Sequence, residues 1–224
     1  MEQADIDLRH QVVSELREKR EKGQPTPTSD IDVVWVVPGH STVSTPPPED
    51  GTRNVLYKDR LDDLERVNAG IEIVRAVTAL RVNKKKDEVT KEDIEAYGPV
   101  FYYNGGEPQN VDLEKMIDGD PNFILPKSKI IIGEIEEVST KGQTEGISKY
   151  LAGKTATVAV VAHGAHGASR IPRYIKHYES LFPNITFRDF TIAETKVPVG
   201  STLGEVKRIV AYRKRRQLSS KPAY

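Results

Sequence analysis

The segment HGAHGASR, residues 163–170, combines the residue types best suited to chemistry in this sequence. It carries two histidines, ends on Arg170 and directly follows an apolar run. Histidine titrates near neutral pH, and an arginine holds carboxylate or phosphate through two parallel N–H bonds. We therefore predict that His166 is a general acid or base and that Arg170 contacts an anionic ligand. For His163 two interpretations stay open, a ligand contact or a strand-end histidine bonded to backbone.

Metal and thiol chemistry receive no support from the residue pattern. A catalytic zinc ion usually takes three protein ligands, and no carboxylate near His163 and His166 offers a third. The chain has no cysteine, which excludes a thiolate nucleophile and a disulfide framework. The sequence also has no P-loop lysine motif and no G-x-S-x-G nucleophile motif. We predict no metal site.

Glycine and polar residues follow three other apolar runs, at residues 38–41, 104–107 and 139–144. Ligands of parallel sheets bind beyond the carboxyl ends of the strands, and glycine lets backbone N–H groups approach them closely. For Arg66, on a helical segment, an anion contact and a solvated or salt-bridged surface position are both open. The predicted ligand-binding residues, besides Arg170, are Gly39, His40, Ser41, Arg66, Asn104, Gly105, Gly106, Ser139, Thr144, His163 and Gly164.

Apolar runs alternate with segments of helical period, and this alternation predicts the fold. We predict strands over 31–39, 99–106, 129–136, 155–164 and 185–194, and helices over 5–21, 59–81, 111–116, 144–151 and 202–217. Such alternation indicates a Rossmann-like three-layer α/β fold with a mainly parallel sheet of about five strands. Residues 84–98 are predicted to form a charged surface excursion, and the proline-rich stretch 42–53 a loop.

The length, the net charge and the lack of a long apolar segment indicate one cytoplasmic domain. A length of 224 residues suits a single domain, comprising a helix and linker (1–29), a Rossmann-like core (30–217) and a tail (218–224). The net charge is zero, so no overall field favours nucleic acid or a membrane surface. The basic cluster 213–216 is interpreted as a solvated helix end, with a nucleic-acid tail as the alternative. No segment reaches the roughly 20 apolar residues of a membrane span.

The order of these motifs resembles the YdcF/SanA/ElyC family, a broad bacterial family, over residues 31–212. The similar segments are DVVWVVPGH, Arg66 in ERVNAGIEIV, YNGG at 103–106, EEVSTKGQTEG and VAVVAHGAHGASR. Two features depart from the family pattern. Gln143 to Gly146 stand where the family has Asn-Thr followed by Glu and Asn, and His166 and Arg170 are separated by three residues instead of two.

The resemblance implies a Rossmann-like fold, binding of S-adenosylmethionine or another nucleotide-like molecule, and a link to envelope metabolism. Two main hypotheses follow for this chain. It is a hydrolase or transferase acting on a phosphorylated small molecule, or it is a non-catalytic protein that binds S-adenosylmethionine or a nucleotide. A structural or interaction role is a third, weaker hypothesis.

Overall fold

The computed structural model describes residues 3–39, 56–121, 123–135, 139–162, 164, 166–191, 207–213, 218–219 and 223. The predicted loop 42–53 and residues 214–216 of the basic cluster lie outside these ranges. The strands are β1 (Val33–Val36), β2 (Val100–Tyr103), β3 (Ile130–Ile132), β4 (Ala156–Val161) and β5 (Ile185–Asp189). The helices are α1 (Gln3–Lys22), α2 (Leu56–Val82), α3 (Lys91–Tyr97), α4 (Glu107–Gly119), α5 (Thr140–Leu151), α6 (Ile171–His177) and a helical segment at 207–213, here α7.

Shorter helical turns complete the connections. Three are 3₁₀ turns, at Lys86–Glu88, Lys127–Lys129 and Glu179–Leu181, and one is a π-helical turn, His166–Arg170, which runs directly into α6. The π turn is the unusual element, because π-helical turns are rare and frequently occur at functional sites.

The five strands form one parallel sheet in the order β3-β2-β1-β4-β5. β1 is central, with Val33 opposite Val100 of β2 on one side and Val158 of β4 on the other. The sequence of β1, VVWV, is buried at every position. Such a continuous apolar run is expected of a strand covered on both faces, and the predicted α/β fold with its parallel five-stranded sheet is confirmed.

Helices cover both faces of the sheet. Alternate residues of each strand point to opposite faces, so Val34 and Val36 enter one apolar core and Val33 and Trp35 enter the other. The first core is completed by helices α2, α3 and α4, through Val67, Val74, Val77, Ile94 and Leu113. The second is completed by α5 and α6, through Ile147, Leu151, Ile171 and Ile175. The helix that follows β1 and the helix that follows β4 therefore lie on opposite faces.

Helix α1 adds a further layer outside α6. Its Leu8 and Val12 pack with Tyr174 of α6 and with Ile209 of α7 in a third apolar cluster. Beside this cluster, both carboxylate oxygens of Glu15 accept hydrogen bonds from Arg173, at 2.7 and 3.0 Å, and Arg173 is fully buried. Ser169, in the π turn, donates to the same carboxylate at 3.2 Å. Helix α1 is thereby attached to the turn that carries His166 and Arg170.

Three segments differ in extent or in secondary structure from the sequence-based expectation. Residues 84–98 contain α3, which begins at a capping box formed by Thr90 and Asp93 and buries Ile94. Helix α4 is about twice as long as predicted and starts at Glu107. Helix α5 starts at Thr140, because Ser139 caps its first turn, so the predicted third loop is largely the beginning of a helix.

No helix in the described ranges is long and apolar enough to cross a membrane.

Candidate functional site

The carboxyl ends of β1 and β4 meet where the chain changes direction across the sheet. After β1 the chain moves outward to β2 and β3, and after β4 it moves the opposite way to β5. In open parallel sheets this switch point leaves a crevice in which ligands bind. Here the crevice is flanked by Pro38 and Gly39 after β1 and by Gly164 after β4.

Arg66 reaches this edge from α2. Its side chain is 6% exposed, and its guanidinium lies directly against the backbone of Gly39. A Cβ atom on residue 39 would lie 2.2 Å from Nη1 of Arg66, so only glycine allows this close approach. Its burial excludes a solvated surface position for Arg66, and the structure brings Arg66 and Gly39 together; contact of Arg66 with an anion stays a prediction.

The π turn after β4 holds two of the predicted residues. His166 is 9% exposed and Arg170 is 3% exposed. Nε2 of His166 lies 3.1 Å from the hydroxyl of Thr140, the first residue of α5. The contact fixes the orientation of the imidazole ring toward α5. His166 thus lies in a helical turn that leads directly into α6.

Arg170 is the residue that joins the π turn to α6. Its backbone is helical, with φ −75° and ψ −48°, so it belongs to a continuous helical path. Pro172 stands in the first turn of α6, where its missing N–H costs nothing. Arg66 lies against the loop after β1 and Arg170 lies at the start of α6, on helices that cover opposite faces of the sheet, and both side chains are buried.

Polar groups of the first turn of α5 point back into the protein. Ser139 caps the helix by accepting a hydrogen bond from the N–H of Gly142 at 3.0 Å. Thr144, fully buried, donates to the carbonyl of Thr140 at 2.8 Å. Both hydroxyls therefore have partners within the helix, and their predicted contact with a ligand stays a prediction.

Asn104, directly after β2, is fully buried and ties three elements together. Its Oδ1 accepts from the indole N–H of Trp35 at 3.0 Å, and its Nδ2 donates to the carbonyl of Gln143 at 2.7 Å. These bonds connect the end of β2 to β1 and to α5. Asn104 positions α5 at the crevice, and a direct contact with a ligand stays a prediction.

The double glycine after Asn104 is engaged by α4. The N–H of Gly105 donates to Asn110, and the N–H of Gly106 donates to Oε1 of Gln109, both at 2.9 Å. Gln109 in turn donates from Nε2 to the carbonyl of Gly39 at 2.7 Å. The two glycine N–H groups are thus bonded to side chains in the first turn of α4, and Gln109 links the loop after β2 to the loop after β1.

Four predicted residues remain to be placed. Gly164 lies between β4 and the π turn with φ +44°, a left-handed conformation that side chains rarely adopt. The other three, His40, Ser41 and His163, lie outside the described residues. Within those described, no group of three histidine, aspartate or glutamate side chains is arranged to hold a metal ion.

Tyr102 lies beneath this edge, on the face covered by α5, and is 2% exposed. Burial, with a smaller contribution from the neighbouring Tyr150, raises the pKa of Tyr102 to about 12. The two rings stack with centroids 5.0 Å apart. Tyr102 stays neutral throughout the physiological range and contributes no charge to the site.

Sequence reasoning missed three side chains at this edge, Thr140, Gln109 and Gln143. The signal for Gln109 was present, since a glutamine three positions after a helix cap is typical of a capping box. Thr140 and Gln143 follow the serine cap of α5, which was read as loop. Gln143 is 1% exposed, and its Nε2 donates to the carbonyl of Pro38 at 3.3 Å.

Comparison of the chain with protein-family models, with curated proteins and with solved structures finds no match.

Proposed function

We propose that this chain binds a phosphorylated small molecule at the crevice between β1 and β4 and catalyses hydrolysis or transfer at its phosphate ester. The observation that carries the proposal is the buried Arg66 against Gly39 after β1, together with the buried Arg170 at the start of the helix that follows β4. A phosphate monoester carries a charge of about −1.5 to −2 at pH 7, which two guanidinium groups balance. Arginine also matches the planar geometry of phosphate oxygens.

His166 is the residue we assign to proton transfer. The histidine stands in the π turn between β4 and Arg170, and its ring orientation is held by Thr140. In hydrolysis a water oxygen bonds to phosphorus as the P–O bond to the alcohol breaks; His166 protonates the departing oxygen, and the proton released by the attacking water returns to the imidazole. In transfer, the hydroxyl of an acceptor takes the place of water. General acid–base catalysis of this kind contributes typically 10²–10⁴-fold.

A non-catalytic protein that binds a nucleotide or S-adenosylmethionine is the second candidate. One observation favours it: the strand order β3-β2-β1-β4-β5 is the order around the binding crevice of nucleotide-binding α/β folds. Membership of the YdcF/SanA/ElyC family is likewise a proposal, which rests on the order of motifs in the sequence.

Two measurements test the main proposal. Phosphate release from a panel of sugar and nucleotide phosphates should identify a substrate, and His166→Ala should lower its turnover at least 100-fold. Calorimetric titration should show weaker binding to Arg66→Ala, by roughly tenfold or more, since a charge-assisted contact contributes about 1.5–3 kcal/mol.

Arg75→Ala is the matched control for Arg66. It removes an arginine from the same helix, α2, whose guanidinium pairs with Glu72 and the carbonyl of Lys86. Binding should stay unchanged in this variant. Full turnover in His166→Ala would exclude the catalytic role, and calorimetric binding of S-adenosylmethionine or a nucleotide without turnover would establish the second candidate.

A further inference from the structure

Gln143 presents a buried oxygen at the carboxyl end of β1. The residue lies in the first turn of α5, and its amide nitrogen donates to the carbonyl of Pro38. That bond fixes which end of the amide is the oxygen, because a carbonyl accepts only from the nitrogen. In the described part of the chain no donor reaches Oε1 of Gln143, although the atom is shielded from solvent.

The groups around Gln143 are committed to other partners. Nδ2 of Asn104 donates to the main-chain carbonyl of Gln143, and the hydroxyl of Thr144 donates to the carbonyl of Thr140. The backbone N–H of Gln143 itself donates to Ser139 at 2.9 Å. Buried polar atoms nearly always have a hydrogen-bond partner in native proteins. Because the unpaired Oε1 of Gln143 lies at the edge of the sheet where ligands bind, we infer that its hydrogen-bond donor is a group of the ligand.

The charges at the carboxyl edge of the sheet limit which ligand groups can donate a hydrogen bond to Oε1 of Gln143. The oxygens of a dianionic phosphate only accept hydrogen bonds, so the phosphate group cannot satisfy Oε1 of Gln143. An ammonium group would be repelled by the buried guanidinium of Arg66, which lies against Gly39 beside Pro38. A neutral hydroxyl meets neither obstacle.

We propose that Gln143 determines specificity by accepting a hydrogen bond from a hydroxyl of the ligand, which makes the substrate class a polyol or sugar phosphate. The inference rests on the proposed function, since it assigns the non-phosphate part of the same ligand. A site that leaves a buried acceptor unpaired discriminates against an analogue without the hydroxyl. For one neutral hydrogen bond the expected preference is about tenfold.

The test compares glycerol 3-phosphate with propyl phosphate, which has the same chain length and phosphate but no hydroxyl. Calorimetric titration of the wild-type chain should show about tenfold tighter binding of glycerol 3-phosphate. Gln143→Met keeps the length of the side chain and removes the acceptor, so it should bring this ratio close to one, mainly by weakening glycerol 3-phosphate.

Gln109→Met is the matched control. It removes a second glutamine at the same edge, whose two amide ends are bonded to Gly106 and Gly39. This change should weaken both ligands alike and leave their ratio unchanged. Because a ratio measured on one preparation is insensitive to a fraction of unfolded protein, partial destabilisation does not obscure the result.

Each outcome decides between the two proposals. Equal affinity of the wild-type chain for both esters, or an unchanged ratio in Gln143→Met, would overturn the role of Gln143 while leaving a phosphate site intact. The wild-type ratio alone decides the matter if Gln143→Met does not fold. If glycerol 3-phosphate, propyl phosphate and inorganic phosphate all fail to bind at millimolar concentration, the proposed function fails and this inference fails with it.

Discussion

Truncating Glu15 to alanine would leave the guanidinium of Arg173 buried without its carboxylate. Arg173 is fully buried, and Glu15 accepts two hydrogen bonds from it and one from Ser169. Removing one partner of a buried ion pair typically costs about 3–5 kcal/mol. Arg173 keeps its bonds to the hydroxyl and carbonyl of Ser169, and the Glu15 side chain is 18% exposed. We therefore expect the low end of the range, about 3 kcal/mol.

Urea denaturation followed by circular dichroism measures this loss. The midpoint should fall while the slope stays unchanged, because the same surface is exposed on unfolding. Glu18→Ala is the matched control on the same helix, since the exposed pair that Glu18 forms with Lys22 contributes about 0.5 kcal/mol. Replacing both partners, as Glu15→Leu with Arg173→Met, should recover most of the stability because no buried charge remains.

Losses of free energy of unfolding that agree within about 0.5 kcal/mol, the size of an exposed pair, in Glu15→Ala and Glu18→Ala would refute a special role for the buried pair. A double variant no more stable than Glu15→Ala would refute it as well, because the cost would then not come from an uncompensated charge.

Three further predictions concern the site and the strand beneath it. Arg170→Ala should weaken binding of the phosphate ester by tenfold to a hundredfold, and Arg170→Lys should restore only part of the affinity; a large drop in melting temperature with intact affinity would assign Arg170 a structural role. Gly39→Ala should displace the guanidinium of Arg66 and weaken the same ligand at least tenfold, whereas Gly119→Ala, with open space around it, should have no effect on binding. Because the pKa of Tyr102 is raised to about 12 from its usual 10, its contribution to stability is complete below pH 10 and is lost as pH rises toward 12. Tyr102→Phe should make the alkaline loss of stability shallower, and an identical pH profile in both proteins would contradict the assignment.

Much of the architecture was predictable because a strand that is buried on both faces of the sheet has an unbroken apolar sequence. Strands such as β1 read as unbroken apolar runs, and the alternation with helices determines a parallel sheet. Helix α3 was missed because it is short and buries only Ile94, so its apolar period is weak. Helix α5 was started too late because its first turn contains glycine, threonine and glutamine. These residues usually indicate a loop, but here they are buried against the ends of the strands.

The sequence predicts the location of the candidate site better than it predicts the contacts that its side chains make. Parallel strands bring their carboxyl ends together, which is why Gly39, Arg66, His166 and Arg170 could be assigned to one edge. The partners of each side chain depend on long-range geometry instead. Gln143 meets Pro38, which is 105 residues away in the chain, and no local pattern encodes such a pairing.

The central position of β1 has a consequence for how the chain folds during synthesis. One edge of β1 pairs with β2, which is synthesised before β4. The other edge of β1 can pair only after β4 has been synthesised. The hydrogen bond from the N–H of Thr157 to Asp32, beside these two strands, spans 125 residues. Until then a nascent chain presents VVWV as an open, apolar strand edge, the kind of template on which chains aggregate. The tie between Arg173 and Glu15 spans 158 residues and forms later still. Contacts of such sequence separation make folding slow, so we expect this edge of β1 to stay unpaired until β4 has left the ribosome.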